Sequence, residues 1–371
     1  MKAPRFWQQP PTLLSQILLP LGAAYSMAGQ TRLKMATPNH CGRPVICVGN
    51  INMGGTGKTP VSLMLVELLQ QAQIQTAILS RGYKGTISSQ TPTHVDLQKH
   101  DANMVGDEPF MMAHHASVFI GAEREAVARF ALQTQHQKLG QMPDVFIMDD
   151  GLQNPQLKRA YNLAVIDAEI GFGNGRVFPA GPLRERPENA LKRLDGVIIM
   201  HPIWDFKTPQ PEGAMRNDVA QFIASCEAQG IDVFHACLKP KADIQPQENA
   251  NYIAFCGIGR GDKFFNMLTG LGFALSETIE YPDHHAYSLR DAEKILELAD
   301  QHKANIVTTE KDHMRLLGLP APDPRAKLSQ KLQTVPITCA LAEAQNLLNR
   351  LQTAMADDMQ SRYYTNFEAL I

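Results

Sequence analysis

The stretch VGNINMGGTGKTP, residues 48–60, decides the fold of this 371-residue chain. A run of β-prone apolar residues precedes it from Pro44, and a helical pattern runs from Pro60 to about Gln73. Together they predict a strand, a glycine-rich loop and a helix. Such a loop binds phosphate, because its glycines let backbone N–H groups surround the anion and the helix N-terminus adds positive potential. The stretch therefore predicts a P-loop that binds a nucleotide.

Individual residues of this loop have distinct expected roles. Lys58 should place its charge on the β- and γ-phosphates, and the Thr59 hydroxyl should ligate Mg²⁺. Asn52 stands where the pattern G-x-x-x-x-G-K-[ST] has its first glycine. The residues expected to contact the nucleotide are Asn52, Met53, Gly54, Gly55, Thr56, Gly57, Lys58 and Thr59.

Short apolar runs alternate with helical stretches after the loop, with apolar runs at 77–80, 117–121, 145–149, 163–167 and 196–200. This alternation predicts an α/β fold: a P-loop NTPase-type parallel sheet flanked by helices. A second, smaller α/β series follows a polar, proline-containing stretch at 202–218. We therefore expect an N-terminal amphipathic helix within 1–40, a nucleotide-binding lobe over 41–205 and a second α/β lobe over 206–371.

The run PDVFIMDDG, residues 143–151, predicts a strand that ends in two carboxylates. Asp149 and Asp150 would hold Mg²⁺ there, directly or through water. Adjacent residues of a strand point to opposite faces, so one of the two should contribute more. A purely structural turn at the end of the strand is the alternative.

Two further motifs are ambiguous by themselves. VGDEP, residues 105–109, contains Asp107 and Glu108 before a proline that can begin a helix, so these acids are either functional or helix caps. YPDHH, residues 281–285, contains His284 after an aspartate. That pair is either a base with its orienting partner or a surface turn. No cysteine or spaced histidine completes a metal site beside it.

Three polar segments follow predicted strands. GFGNGRVFPAGPLRERP, residues 171–187, is a long loop of the kind that more often serves function than decoration. ILSRGYKG, residues 78–85, places Arg81 and Lys84 at a strand end, where phosphates bind in such sheets. TTEKD, residues 308–312, reads mainly as the start of a helix.

The N-terminal segment is apolar and basic. Residues 12–29, TLLSQILLPLGAAYSMAG, place leucines, Ile17 and Tyr25 on one helical face, and the first acidic residue of the chain, Glu67, follows six basic ones. The stretch is too polar to span a bilayer, and it favours a helix lying in a membrane interface. The alternatives are a signal peptide and a helix that packs on the protein's own core.

Composition narrows the remaining classes. The 35 basic residues nearly balance the 37 acidic ones, which argues against a dedicated nucleic-acid binder. With 44% hydrophobic and 19% charged residues, the chain is not disordered as a whole. Six scattered cysteines without a C-x-x-C pair indicate reduced, mostly buried thiols of a cytosolic protein.

These segments taken in order resemble the tetraacyldisaccharide 4′-kinase family, which phosphorylates a lipid A precursor. The matching pieces are GN-x-x-x-GGTGKTP, SRGY-x-G, VGDEP, DDG-x-Q, GNG-x-x-x-PAGPLRE, PDHH and TTEKD, between residues 49 and 312. Only the P-loop is specific alone, but the ordered set is highly specific. One departure is Asn154, where the family usually has histidine after DDG-x-Q.

The resemblance implies roles that the residues alone leave open. It makes Asp107 the base toward the sugar hydroxyl, His284 its partner and Glu185 a candidate near the metal. It implies ATP and Mg²⁺ as cofactors and the disaccharide 1-phosphate as acceptor. It also implies work at the anionic, cytoplasmic face of the bacterial inner membrane, without nucleic acid or a protein partner.

Other functions remain open at this point. A membrane-associated ATPase switch of the partition type shares the P-loop and the membrane-seeking helix, but Met53 occupies the position of its signature lysine. A GTPase would need an N-K-x-D segment, which the sequence lacks. A soluble small-molecule kinase would leave the N-terminal segment without a role.

Overall fold

The structure, a computed structural model, describes residues 4–87, 90–138, 142–202, 215–241 and 244–368. Its helices are α1 (Leu13–Ile17), α2 (Leu19–Met35), α3 (Lys58–Gln71), α4 (Ala102–Val105), α5 (Asp107–Met112), α6 (Arg124–Lys138), α7 (Pro187–Leu191), α8 (Asn217–Ala228), α9 (Gly261–Gly270), α10 (Leu289–His302), α11 (Glu310–Met314), α12 (Pro324–Lys331) and α13 (Ala344–Glu368).

The strands are β1 (Val45–Gly49), β2 (Thr76–Ser80), β3 (Thr93–His94), β4 (Ser117–Ile120), β5 (Val145–Asp149), β6 (Tyr161–Asp167), β7 (Gly196–His201), β8 (Asp232–Pro240), β9 (Asn251–Cys256), β10 (Ala274–Glu280), β11 (Asn305–Thr309), β12 (Leu332–Val335) and β13 (Ile337–Leu341). In the described residues they form a nine-stranded sheet, β13-β8-β7-β6-β1-β5-β2-β4-β3, and a four-stranded sheet, β10-β9-β11-β12.

The large sheet is parallel except at its edges, where β3 and β13 run antiparallel to their neighbours. β1, β2 and β5 are buried along their whole length, as expected of apolar strands covered by helices on both faces. β1 lies between β5 and β6. Because these strands are parallel, the P-loop, the Asp149–Asp150 pair and the 171–187 loop all leave the same sheet edge. The predicted α/β fold is confirmed.

The predicted lobe boundary at 205/206 does not coincide with the division between the two sheets. β8 pairs with β7, and β13 pairs with β8, so residues 232–240 and 337–341 belong to the large sheet. The second sheet is parallel throughout. The sequence marks β8 as a strand, but apolar periodicity does not reveal which sheet a strand joins. The boundary expected from the sequence therefore lies too early in the chain.

The N-terminal helices expose apolar side chains and bury polar ones, which is the reverse of ordinary surface helices. Leu13, Ile17 and Leu21 are exposed, whereas Ser15 and Ser26 are buried. The alternative in which the apolar face packs on the protein's own core is therefore wrong. Among the described residues, no helix combines the length and apolar character needed to cross a membrane.

Close packing fixes α2 to the loop that follows β6. A Cβ built on Gly22 would lie 2.8 Å from the Val177 carbonyl oxygen, while one built on Gly29, on the same helix, would meet nothing within 4 Å. The indole of Trp7 donates to the Pro179 carbonyl at 3.2 Å. The N-terminal segment is thus seated on residues 177–180.

This packing predicts opposite effects for the same substitution at two glycines of α2. Gly22→Ala should lower the free energy of unfolding by about 1–2 kcal/mol, because a backbone oxygen blocks the new methyl group. Gly29→Ala should raise it by about 0.5–1 kcal/mol, because alanine is the better helix former in open space. Urea denaturation of both variants checks this, and equal effects would contradict the packing.

Candidate functional site

The P-loop leaves β1 and closes onto the first turn of α3. Gly54 has φ +117° and Gly57, the N-cap of α3, has φ +90°, which side chains other than glycine rarely adopt. The buried Asn50 amide donates to the Gly54 carbonyl at 3.2 Å and to Thr56 Oγ1 at 3.1 Å. Lys58 is the first residue of the helix. The backbone therefore has the shape that a phosphate cradle needs.

Asn52, at the position of the missing first glycine, reaches away from the loop. Its buried amide donates to the Gly171 carbonyl at 2.6 Å. Its neighbours extend this contact, since the Met53 N–H donates to the Pro182 carbonyl at 2.6 Å and the Arg184 N–H donates to the Ile51 carbonyl at 2.7 Å. The residue that departs from the pattern thus fastens the P-loop to the 171–187 loop.

Asp150 brings Lys58 and Arg184 together. Lys58 Nζ lies 3.7 Å from Asp150 Oδ1, and the Arg184 guanidinium binds both carboxylate oxygens at 2.6 and 3.0 Å. Burial opposes ionisation, but these two cations outweigh it and lower the pKa of Asp150. Arg184 was missed in the sequence, although it directly precedes Glu185 in the PAGPLRE segment.

Asp149 has the opposite electrostatic environment. It is buried, and Ser62 Oγ donates to its Oδ1 at 3.0 Å. Burial, together with the negative charges of Glu108 and Asp150, raises the pKa of Asp149 to about 7. A metal cation bound at Asp149 would offset this burial and repulsion and favour the ionised carboxylate.

The donor set suits Mg²⁺ chemically. The Thr59 hydroxyl and the Asp149 and Asp150 carboxylates are hard oxygen donors, and Mg²⁺ bound with ATP phosphates needs few protein ligands. Within the described residues, no three His, Cys, Asp or Glu side chains are grouped closely enough to hold a metal by themselves. Phosphate oxygens and water would therefore complete the coordination.

Glu185 is held by protein groups. Arg193 donates to its two carboxylate oxygens at 2.8 and 3.0 Å, and Gln153 donates to Oε1 at 2.9 Å. Gln153 also donates to the Asn50 carbonyl at 3.0 Å. The described contacts link Glu185 to the base of the P-loop, and its predicted role at the metal stays a prediction.

Asp107 joins the two lobes. Its Oδ2 accepts from His284 Nδ1 at 2.9 Å and from Arg315 Nε at 2.7 Å. Burial raises the pKa of this carboxyl, but the His284 hydrogen bond and the Arg315 charge outweigh burial and lower the pKa of Asp107 to about 2. Neither bond uses Oδ1. Asp107 caps no helix, because the N-cap of α5 is Gly106, so the helix-cap interpretation is wrong.

A second ion pair lies beside this contact. Lys311 Nζ is 3.0 Å from Glu108 Oε1. The predicted helix start at TTEKD is confirmed, since the Thr309 side chain accepts from the Asp312 N–H. The pairing of Lys311 and Arg315 with the VGDEP acids was missed. A spacing of four residues places the two cations on one side of α11, but it does not identify their partners.

The two histidines of YPDHH have different surroundings. His284 has φ +59°, and its backbone N–H donates to the Gly257 carbonyl at 3.0 Å. This backbone conformation directs its ring toward Asp107. His285 stacks on Tyr281 with ring centroids 4.5 Å apart and bonds Asp291 Oδ2 at 3.0 Å. His284 therefore faces the lobe that carries Asp107, and His285 stabilises the turn.

The sequence also singled out two cations at a strand end, Asn154 and the cysteines. Arg81 and Lys84 are exposed, and Lys84 Nζ lies 5.9 Å from the Tyr83 ring centre. Asn154, at the family's usual histidine position, accepts from the Gln156 N–H at 2.9 Å. All six cysteines lie in described residues, are buried and form no disulfide, as predicted.

Comparison with known proteins gives one consistent result. The sequence model of a family described as tetraacyldisaccharide-1-P 4′-kinase matches residues 14–356. A tetraacyldisaccharide 4′-kinase of Parvibaculum lavamentivorans is 37% identical over 361 residues, covering 96% of this chain and 98% of that protein. One of Methylobacterium sp. is 38% identical over 347 residues, covering 93% and 96%.

A solved structure shares the fold. The crystal structure of LpxK from Aquifex aeolicus, described as an "apo" form in complex with ATP, superimposes with a TM-score of 0.68 at 25% identity. The match covers 92% of this chain and 100% of that one.

The site electrostatics predict stability effects of opposite sign at two adjacent aspartates. Asp149→Asn should raise the free energy of unfolding by about 1–3 kcal/mol at pH 8, because it removes a buried, crowded charge. The pKa of this carboxyl rises from 3.8 to about 7 on folding. Its charge therefore destabilises the folded protein fully above pH 7 and not at all below pH 3.8. The stability gained by Asp149→Asn should accordingly be smaller at pH 5 than at pH 8.

Asp150→Asn is the matched control and should lower stability, because Lys58 and Arg184 stabilise the charge it removes. Chemical denaturation without nucleotide or Mg²⁺, at pH 8 and pH 5, measures both variants. A pH-independent gain for Asp149→Asn would contradict the assigned electrostatics.

Proposed function

Because the chain belongs to the tetraacyldisaccharide-1-P 4′-kinase family, we propose that the side chains gathered between its two sheets transfer the γ-phosphoryl group of ATP to the 4′-hydroxyl of an acylated disaccharide 1-phosphate. The chain is an ATP-dependent kinase of lipid A biosynthesis. The observation that carries the assignment of residues is the 2.9 Å contact between Asp107, on the nucleotide side, and His284, on the other.

Asp107 is the group that receives the acceptor hydroxyl. His284 and Arg315 both bind Oδ2, which leaves Oδ1 to accept a hydrogen bond from the 4′-hydroxyl. A carboxylate with a pKa of about 2 is a weak base, so it orients the hydroxyl in line with the phosphorus. In a loose transition state the proton needs to reach Oδ1 only after most of the leaving-group bond has broken.

Cations on the nucleotide side stabilise the developing charge. Lys58 begins α3 and points to Asp150, where it can reach the β- and γ-phosphates. Arg184 reaches the same carboxylate from the 171–187 loop. Thr59, Asp149 and Asp150 would hold Mg²⁺ together with ATP, and the ion would supply positive charge to the phosphate oxygens. Positioning and charge stabilisation supply most of the rate enhancement in such reactions.

The N-terminal helices provide the contact with the lipid surface. Leu13 is 74% exposed, Ile17 66% and Leu21 58%, and the segment before Glu67 carries basic residues without acidic ones. An apolar face with basic flanks binds an anionic bilayer in the interfacial plane. We place the protein at the cytoplasmic face of the inner membrane, where the acylated acceptor lies.

A partition-type ATPase switch accounts for less of the molecule. It would use the P-loop and the N-terminal helices, but it gives no role to the Asp107–His284 contact or to the Glu108–Lys311 pair. Phosphoryl transfer to an acceptor gives the Asp107–His284 contact a role in the reaction.

Phosphate transfer from γ-labelled ATP to the disaccharide 1-phosphate in detergent micelles tests the proposal. Lys58→Ala should lower turnover roughly a thousandfold, because it deletes charge stabilisation on the transferred group. Asp107→Asn should lower kcat roughly 10²- to 10⁴-fold while ATP binding stays near normal. Labelled inorganic phosphate released equally without the lipid would overturn the kinase assignment.

The adjacent histidines supply a matched control for that assay. His284→Gln should lower kcat, because it removes a donor to Asp107 Oδ2. His285→Gln should lower the melting temperature, since it breaks the contacts with Tyr281 and Asp291, while kcat stays near normal. Equal losses of kcat in the two variants would mean that the turn has a structural role and not a catalytic one.

Membrane binding has a separate test. The double substitution Leu13→Gln with Ile17→Gln should weaken binding to phosphatidylglycerol-containing vesicles at least tenfold, since each side chain buries apolar area in the interface. Thermal stability and turnover in detergent micelles should be unchanged, because both side chains are exposed. Leu289→Gln, half exposed on the second lobe, is the control and should leave vesicle binding intact.

A further inference from the structure

Asp312, the last residue of the TTEKD segment, is a buried carboxylate in the first turn of α11. Its Oδ1 accepts from the Gly257 N–H at 3.0 Å and from the Tyr287 hydroxyl at 2.9 Å. Arg315 Nη1 donates to the same oxygen at 2.6 Å, and the Thr309 hydroxyl donates to Oδ2 at 2.6 Å. A buried carboxylate is costly unless it is bound in this way. The start of a helix does not need one, because Thr309 already caps α11.

Gly257 joins the two groups that hold Asp107. Its carbonyl oxygen accepts from Arg315 Nη1 at 2.9 Å and from the His284 backbone N–H at 3.0 Å. Its own N–H is bound to Asp312. Asp312 therefore fixes the guanidinium directly and the turn of His284 through Gly257.

Gly257 is closely packed. A Cβ built on it would lie 3.1 Å from Asp312 Oδ1, 3.2 Å from Arg315 Nη1 and 3.2 Å from His285 Cβ. One built on Gly270, at the end of α9 in the same lobe, would meet nothing within 4 Å. Close packing thus holds the backbone, the carboxylate and the guanidinium in one arrangement.

The guanidinium of Arg315 carries this arrangement to the other lobe. Its side chain is 5% exposed, and Nε donates to Asp107 Oδ2 at 2.7 Å while Nη1 binds Asp312. A planar fork that is bound at two corners has a fixed orientation. Because His284 and Arg315 both bind Oδ2, the Asp107 carboxylate turns Oδ1 to the acceptor. An error of about 1 Å in such a position costs roughly a hundredfold in rate.

We propose that Asp312 is a positioning residue, which orients the Asp107 carboxylate through Arg315 and Gly257 without touching ATP or the acceptor. The inference rests on the proposed function, because it takes Asp107 to receive the 4′-hydroxyl. It gives the TTEKD segment a part in the reaction, which acts from the interior of the second lobe on the nucleotide lobe.

Steady-state kinetics in detergent micelles test the role of Asp312. Asp312→Asn keeps the shape and an acceptor oxygen but removes the charge that holds Arg315. It should lower kcat roughly 10- to 100-fold. The KM values for ATP and for the acceptor should stay within about threefold, because Asp312 touches neither substrate. Asp323→Asn is the control: it removes another acid that is paired with an arginine of the second lobe, and it should leave kcat unchanged.

The Asp107→Asn background separates positioning from structure. If Asp312 acts only through the Asp107 carboxylate, adding Asp312→Asn to Asp107→Asn should lower the residual kcat less than about twofold. Single-turnover transfer from γ-labelled ATP measures these slow rates. The same loss of kcat in both backgrounds would show a merely structural role and overturn the proposal.

Gly257→Ala disturbs the same contacts without changing any charge, and it is the second test should Asp312→Asn fail to fold. The added methyl group should displace Arg315 and lower kcat about tenfold, with KM near normal. Gly270→Ala is its control and should leave kcat as it is. Equal kcat in the two alanine variants would overturn the proposal.

The unaltered protein and Asp107→Asn distinguish failure of this inference from failure of the proposed function. No transfer by the unaltered protein, or full transfer by Asp107→Asn, would overturn the proposed function and the inference with it. Transfer that depends on Asp107 but not on Asp312 would overturn the positioning role alone.

Discussion

The contact between the two lobes depends on the ionised carboxylate of Asp107. It is largely buried, and a buried charge persists only with compensating partners. Both partners, His284 and Arg315, come from the second lobe. Because Arg315 also binds the buried Asp312, one side chain links the first turn of α5 to the interior of α11. The contact between α5 and the second lobe and the low pKa of Asp107 therefore depend on the same two side chains.

Much of this arrangement follows from local sequence. The P-loop, the paired aspartates after β5 and the helix start at Thr309 each carry a short-range signal, namely glycine at positive φ, a carboxylate after an apolar run and a capping hydroxyl. Parallel strands then bring the first two to one sheet edge without further information. The resemblance to a known family supplied the partnership of Asp107 and His284, which are 177 residues apart.

What the sequence left out depends on long-range geometry. Arg184 and Arg315 carry ion pairs over 34 and 208 residues, and no periodicity points from one partner to the other. The sequence also did not reveal the direction of the Asn52 side chain, because its partner is the backbone carbonyl of Gly171. The sequence also did not show that β8 pairs with β7, or that β13, about a hundred residues later, pairs with β8.

The chain enters and leaves the second lobe at one point. Pro240 and Ile337 are register partners on the adjacent antiparallel strands β8 and β13, so the second lobe is an insertion between two neighbouring strands. Both connections lie side by side, and this geometry favours rotation about the strand pair over separation of the lobes. During synthesis the edge of β8 waits for residues 337–341, so the inserted lobe can fold before the sheet that carries it is complete.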